Sequence, residues 1–241
     1  MNGFRLLYAA LACAHLAAQL AEAGTAVAVT QWLVMPALAA VLRSETAETS
    51  ETAETAGTGA PRGRLTRFVL LALGFSWLGD SVPALFDGDT RFLTMVGLFL
   101  CAQVTYAVAF WPSRHHSVLR RPALAGYAVA FAVLLALCAP GAGGLLVPVV
   151  CYGLCLTVMG VLATGVHPLT GVGGAVFLVS DGLIALDAFA DWYAPPVPGF
   201  WVMATYLAGQ AMIVAGVVSS SGSRPAPPRP SGTGAAPGPA R

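Results

Sequence analysis

Hydrophobic residues occur along this chain in eight long runs rather than in alternating or short amphipathic patterns. Each run has about 20 mostly apolar residues, which at the rise of a helix is enough to cross roughly 30 Å of hydrocarbon. Backbone groups in lipid must be satisfied within the spanning segment, so continuous runs predict helices rather than barrel strands. The predicted spans are residues 4–20, 26–42, 67–86, 91–112, 118–139, 145–164, 168–189 and 199–219.

The composition agrees with this pattern. Of the 241 residues, 57% are hydrophobic and only 10% are charged, whereas soluble domains are about a quarter charged. The net charge is +1 and lysine is absent, so nothing resembles the basic face of a nucleic-acid binder. The sequence therefore predicts an all-α, polytopic membrane protein whose partner is the lipid bilayer and not a nucleic acid.

Arginine placement predicts the orientation of the eight spans. Eleven of the twelve arginines lie on the side that holds both termini, and Arg91 alone lies on the other. The positive-inside rule then places both termini of this cell-membrane protein in the cytoplasm. Residues 1–218 form the predicted transmembrane domain. Within it, residues 43–66 carry an acidic repeat and are predicted to be a disordered loop, as is the Pro-, Gly- and Ser-rich tail 219–241.

Two aspartates lie deep inside predicted spans, where a charged group is costly. Asp80 and Asp181 are each six to eight residues from the outer end of their span, or roughly 9–12 Å at helical rise. A charge at the bilayer centre costs about 2.5–3.5 kcal/mol on the insertion scale, so such residues indicate function. Pro83 is expected to kink the third span and to free carbonyl groups beside Asp80. The remaining aspartates of the last six spans are near span ends, where solvation explains them: Asp87, Asp89, Asp187 and Asp191.

The span after each aspartate carries polar residues at a matching depth. Gln103 and Tyr106 are three residues apart, and Tyr206 and Gln210 are four apart, so each pair shares one helical face. Together with the aspartates they predict a common polar pocket. In it the aspartates are the candidate catalytic residues, and these four are the candidate substrate-binding residues.

The segments around the two aspartates also resemble each other. A small residue precedes the aspartate in both, and Ala84-Leu85 parallels Ala185-Leu186. The two copies are an even four spans apart and therefore have the same orientation. This indicates two four-helix halves related by an axis along the membrane normal, with the site between them.

The residues by themselves leave several functions open. Asp80 and Asp181 could carry a proton or cation through a transporter, or act as general acid and base in an enzyme. Structural polar contacts in a scaffold are a third reading. The sequence contains no His/Glu metal spacing, Gly-rich phosphate loop or nucleophile elbow, so neither a metal nor an organic cofactor is expected.

At these residues the chain resembles the lysoplasmalogenase family of integral membrane proteins, also called YhhN-like. Relatives commonly carry histidine where this chain has Gln103. The resemblance rests on the following segments: Leu78-Gly79-Asp80, Gly97-Leu98-Phe99 with Gln103, Tyr106 and Ala109-Phe110, the block Gly174 to Asp181 with Ile184-Ala185-Leu186 and Phe189, and Val202 to Tyr206 with Gln210.

The resemblance implies hydrolysis of the vinyl-ether bond of a lysoplasmalogen, a lysolipid, to a fatty aldehyde and a glycerophospho-base. That chemistry starts by protonating an alkene carbon and needs one carboxylic acid and one ionised group. Two carboxyl groups that share a low-dielectric site can supply this pair. Asp80 and Asp181 would then be the acid and base, while the Gln and Tyr residues of the pocket hold water and headgroup oxygens.

Overall fold

The computed structural model describes residues 3–55 and 62–222, and all regular structure in these ranges is helical. A helix satisfies every backbone group within its own segment, which is what long apolar runs require in lipid. The predicted all-α fold is confirmed. Its helices are α1 (Gly3–Leu20), α2 (Gly24–Thr55), α3 (Arg62–Ser81), α4 (Gly88–Phe110), α5 (Ala123–Ala142), α6 (Leu146–Ala163), α7 (Pro168–Phe189) and α8 (Pro198–Gly222).

Seven helical segments within the described residues are long and apolar enough to cross a membrane. One of them, Ala123–Ala163, contains both α5 and α6. The chain reverses between these two helices at Gly143, whose φ of 47° lies in the left-handed region that glycine adopts freely. The ring of Phe131 then packs on Gly153, so α5 and α6 lie side by side as an antiparallel hairpin. The protein is therefore a multi-pass membrane protein.

The helices pair as two similar halves, α1–α4 and α5–α8. In the first half α3 packs extensively along α4, and in the second α7 packs in the same way along α8. Between the halves, α4 packs on α6 and α8 packs on α2. These are equivalent pairs when one half repeats the other in the same orientation, so the packing agrees with the predicted repeat.

Glycines bring α7 into close contact with α6 and with α8. A Cβ atom added at Gly173 would lie 2.7 Å from the carbonyl oxygen of Gly209 on α8. On another face of α7, a Cβ atom at Gly174 would lie 3.1 Å from Ala163 and 3.2 Å from Gly160 of α6. Small residues at these positions let the helices approach closely. Asp181, two turns further along α7, is thereby held between α6 and α8.

Two segments predicted to be disordered are in part helical, which corrects the predicted boundaries. In the predicted loop 43–66, α2 continues unbroken to Thr55 and α3 already begins at Arg62. In the predicted tail 219–241, α8 continues to Gly222. Alanine and glutamate are strong helix formers, and the stretch that extends α2 contains neither glycine nor proline. The rest of the predicted disorder, residues 56–61 and 223–241, lies outside the described residues.

An ion pair joins the extended part of α2 to α1. The Arg5 guanidinium group donates two hydrogen bonds to the Glu45 carboxylate, one of them at 2.6 Å. Glu45 is 9% exposed, and the two residues lie at the same end of the bundle. This contact gives the acidic segment a partner on a spanning helix, which its repetitive sequence does not reveal.

Candidate functional site

Asp80 lies in the last turn of α3, just before a 3-10 turn, Val82–Leu85, that contains Pro83. The hydroxyl group of Tyr206 on α8 donates a hydrogen bond to the Asp80 carboxylate at 2.9 Å. The main-chain carbonyl of Asp80 accepts a hydrogen bond from Nε2 of Gln31 on α2, also at 2.9 Å. Since carbonyl groups at a helix end lack partners in their own helix, the end of α3 provides the carbonyl acceptor expected beside the carboxylate.

Asp181 lies within α7, is 8% exposed, and accepts a hydrogen bond from the hydroxyl group of Tyr152 on α6. Sequence reasoning did not select Tyr152, because its span is otherwise apolar. One signal was available. Tyrosines in spanning helices concentrate near the membrane surfaces, whereas Tyr152 is six residues inside α6. That depth is similar to the depth of the aspartates.

A cluster of three aromatic rings contacts the surroundings of both aspartates. Phe99 of α4 packs edge-on against Phe177 of α7 and Tyr206 of α8, with ring centroids 6.4 and 5.8 Å away. Phe99 also fills the space beside Gly79, where an added Cβ atom would lie 2.8 Å from its ring. The two carboxyl groups, both within the described residues, share no hydrogen bond with each other, and each is bonded to its own tyrosine. The cluster therefore connects the two Asp–Tyr pairs, since Tyr206 bonds Asp80 and Phe99 lines a pocket together with Asp181.

Tyr106 and Gln210, two of the predicted substrate-binding residues, are bonded to each other. The Tyr106 hydroxyl group donates to Oε1 of Gln210 at 2.7 Å, and Nε2 of Gln210 donates to the hydroxyl group of Ser76 at 3.1 Å. All three side chains are fully buried. This chain of hydrogen bonds joins α4, α8 and α3, and it holds α8 in the register that presents Tyr206 to Asp80.

Gln103 is the exception among these polar residues. Its side chain is fully buried, yet neither its amide oxygen nor its amide nitrogen has a hydrogen-bond partner among the described residues. It lies close to the side chain of Tyr152, which bonds Asp181, but the two do not meet in hydrogen-bond geometry. A buried amide without partners costs about 1–3 kcal/mol, and such groups in native proteins commonly bind a water molecule. Gln103 therefore has free hydrogen-bonding capacity next to the Asp181–Tyr152 pair.

Two apolar pockets meet at the Asp181–Tyr152 pair, which lines both of them together with Val149 and Ala185. A carboxyl group at the junction of two apolar pockets can approach the hydrocarbon part of an amphiphile. The α4–α6–α7 pocket is otherwise lined by Phe92, Met95, Val96, Phe99, Ile184 and Phe189. The α5–α6–α7 pocket is otherwise lined by Phe131, Leu134, Leu135, Cys138, Gly153 and Leu156.

The other titratable groups lie outside this arrangement. The aspartates expected to be solvated, Asp87, Asp89, Asp187 and Asp191, are all exposed. Over residues 3–55 and 62–222, no group of three His, Cys, Asp or Glu side chains is placed to hold a metal ion. The functional groups gathered at the site are thus carboxyl, phenol and amide groups.

Fold and site together define a multi-pass α-helical membrane protein with two Asp–Tyr pairs among its spanning helices, one of which lines two apolar pockets. The family model of the YhhN family matches residues 26–217, which include most of α2 and all of α3 to α7. The chain belongs to the YhhN family, and that family includes lysoplasmalogenases. No curated protein and no solved structure matched the chain.

Proposed function

We propose that this protein is a membrane hydrolase that cleaves the vinyl-ether bond of lysoplasmalogen-type lysolipids. The products are a fatty aldehyde and a glycerophospho-base. The observation that carries the proposal is the Asp181–Tyr152 pair at the junction of two apolar pockets, with a second Asp–Tyr pair in an aromatic cluster that borders one of these pockets. Membership of a family that includes lysoplasmalogenases supports the same reaction.

The reaction needs two groups that act in turn. A carboxylic acid protonates the alkene carbon next to the one that bears the ether oxygen, which leaves an oxocarbenium ion. An ionised carboxylate stabilises this cation and takes a proton from the attacking water. The resulting hemiacetal collapses to the aldehyde and the glycerol hydroxyl group, so one water is consumed and the catalytic protons are restored. A general acid or a general base of this kind typically accelerates the reaction by about 10²–10⁴-fold.

The pockets suggest how the two aspartates divide these roles. Asp181 lines both apolar pockets, whereas Asp80 lines neither of them. The alkyl chain of the substrate would therefore place its alkene carbons beside Asp181, which makes Asp181 the proton donor. Asp80, held by Tyr206, would face the glycerol side of the oxocarbenium ion and act as the ionised partner.

Gln103 supplies the place for the reacting water in this scheme. Its unpartnered amide lies beside Tyr152, so a water bonded to it would be close to the carbon that Asp181 activates. Tyr106 and Gln210 do not contact the substrate in this proposal and instead have a positioning role. Their mutual hydrogen bond keeps α4 and α8 in register and so keeps Tyr206 on Asp80.

A proton- or cation-coupled transporter is the second candidate, and the paired halves favour it. Each half contributes one aspartate from inside a spanning segment, and transporters built from repeats bind their ions at such an interface. Ion coupling would use Asp80 and Asp181 without any bond being cleaved.

Aldehyde release by the purified protein in detergent separates the two candidates. Without a membrane there is no gradient, so a transporter should release nothing, whereas the hydrolase should convert an alkenyl lysolipid to free aldehyde. The matched control is the lysolipid with a saturated alkyl ether, which has no alkene to protonate and should stay intact. Failure to release aldehyde from alkenyl lysolipids with several headgroups would overturn the proposed reaction.

A further inference from the structure

A second apolar groove lies between α4 and α6, on the outside of the bundle. Its walls include Val104 and Val108 of α4 and Leu154 and Val158 of α6. These four side chains are 38–48% exposed, so they face the surroundings of the bundle rather than its interior. Neither aspartate of the candidate site lines this groove. It is a site on the lipid-facing surface where the two halves of the protein meet.

One end of the groove carries positive charge. Arg64, in the first turn of α3, lines the groove directly, and so does Trp111, which follows the last residue of α4. The guanidinium group of Arg114 lies 5.0 Å from the centre of the Trp111 ring. Among the side chains that the structure describes, neither arginine has a carboxylate within 4.0 Å. Tryptophan and arginine are typical of the level at which lipid headgroups lie.

We propose that this groove binds a glycerophospholipid with a net negative headgroup. One acyl chain would lie along the valine and leucine walls, and Arg64 and Arg114 would bind the phosphate. Guanidinium groups suit this role because their fixed N–H groups bond two phosphate oxygens at once. The net charge of the headgroup decides the preference, since two cations next to one acyl-chain groove attract an anionic lipid more strongly than a zwitterionic one.

This lipid would be distinct from the substrate. Arg64 precedes Asp80 on the same helix by about 24 Å at 1.5 Å per residue. In a lysoplasmalogen only a few covalent bonds separate the phosphate from the vinyl ether. A lipid whose phosphate is held at Arg64 therefore cannot bring a vinyl ether to Asp80. The groove and the candidate active site can be occupied at the same time.

The test compares phosphatidylglycerol with phosphatidylcholine of identical acyl chains, each titrated onto the purified full-length protein in detergent. Bound lipid is counted by native mass spectrometry, and melting temperatures are measured in parallel. Each arginine near the headgroup level should contribute about fivefold, so the wild type should prefer phosphatidylglycerol by up to roughly 30-fold. Arg64→Gln together with Arg114→Gln should remove this preference, because binding of phosphatidylglycerol falls much more than binding of phosphatidylcholine.

Two further variants distinguish binding of the lipid in the groove from a general effect of positive charge on lipid affinity. Arg121→Gln removes an exposed arginine that does not line the groove, and it should keep the preference. Val158→Trp fills the groove while keeping both arginines, and it should weaken binding of phosphatidylglycerol. The proposal is overturned if the double variant keeps its preference, if Arg121→Gln loses it equally, or if Val158→Trp binds as tightly as the wild type. Equal competition by a zwitterionic lysolipid would overturn it too, because the groove would then select for substrate shape.

Discussion

Replacing Gln103 with leucine tests whether its buried amide binds the reacting water. Leucine keeps most of the volume and removes both polar atoms. Gln103 is fully buried and unpartnered, so its amide costs about 1–3 kcal/mol if it is dry and close to nothing if it holds a water. Gln103→Leu should therefore leave the melting temperature unchanged or raise it by up to roughly 10 °C, at about 2–4 °C per kcal/mol for a chain of this size.

The same substitution should slow the reaction. A hydrogen bond to the reacting water contributes about 1–1.5 kcal/mol, which corresponds to about a tenfold lower kcat. KM should stay close to the wild-type value, because Gln103 binds the water and not the lysolipid. The assay is aldehyde release by purified protein in detergent over a range of alkenyl lysolipid concentrations, with the melting temperature measured on the same samples.

Gln210→Leu is the matched control, because Gln210 is equally buried but has partners on both sides. Its loss removes the bonds of Tyr106 and Ser76 and should destabilise the protein by about 1–3 kcal/mol. The two substitutions should thus change the melting temperature differently. If Gln103→Leu lowers it as Gln210→Leu does, the amide has a structural role. If Gln103→Leu leaves kcat unchanged, no reacting water is held there.

Three further predictions concern the Asp181–Tyr152 pair, the packing of α7 on α8, and the orientation in the membrane. Tyr152→Phe removes the hydrogen bond to Asp181 and should lower kcat by about tenfold while the protein still elutes as a folded species in gel filtration; unchanged kcat would contradict the role of this pair. Gly173→Val should lower the melting temperature, since its Cβ atom would lie 2.7 Å from the Gly209 carbonyl oxygen, whereas Gly97→Ala, with no atom within 4 Å, should not; equal melting temperatures would contradict the close packing of α7 and α8. A reporter fused after Arg241 should be active in the cytoplasm, and activity only outside it would overturn the orientation predicted from the arginines.

The sequence predicts the spanning helices and the depth of the aspartates, because both depend on local properties. Hydrophobic length determines where a helix can cross the bilayer, and helical rise converts the positions of Asp80 and Asp181 into depths. The repeat placed one aspartate in each half of the bundle. The family resemblance also indicates Asp80 and Asp181 as the functional residues.

The partners of the aspartates depend on which helices touch, and that is not a local property. Tyr206 bonds Asp80 from 126 residues away in the chain, and Tyr152 bonds Asp181 from the preceding helix. Most of these helices are apolar on all sides, so periodicity does not indicate which face meets which neighbour. For the same reason Gln103 and Gln210 were equivalent in the sequence. In the structure one has no partner and the other has two.

The predicted disorder between the second and third spans is wrong for residues 43–55, and the reason is different. A repeat of Glu, Thr, Ala and Ser has no apolar face, which is typical of disordered segments. It also has good helix formers and follows directly from a stable spanning helix, so the costly nucleation step is already complete. The contact of Arg5 with Glu45 adds a tertiary partner at the start of the extension.

The most direct test of the central claim measures aldehyde release by four proteins in detergent: wild type, Asp80→Asn, Asp181→Asn and Asp187→Asn. Asp80→Asn and Asp181→Asn should each lower turnover by at least ~10²-fold, the effect expected for a general acid or base. Asp187, which is exposed near the end of α7, should be replaceable with turnover near the wild-type value. All variants should fold, because asparagine is nearly isosteric with aspartate. The claim is contradicted if Asp80 or Asp181 can be replaced without loss of turnover.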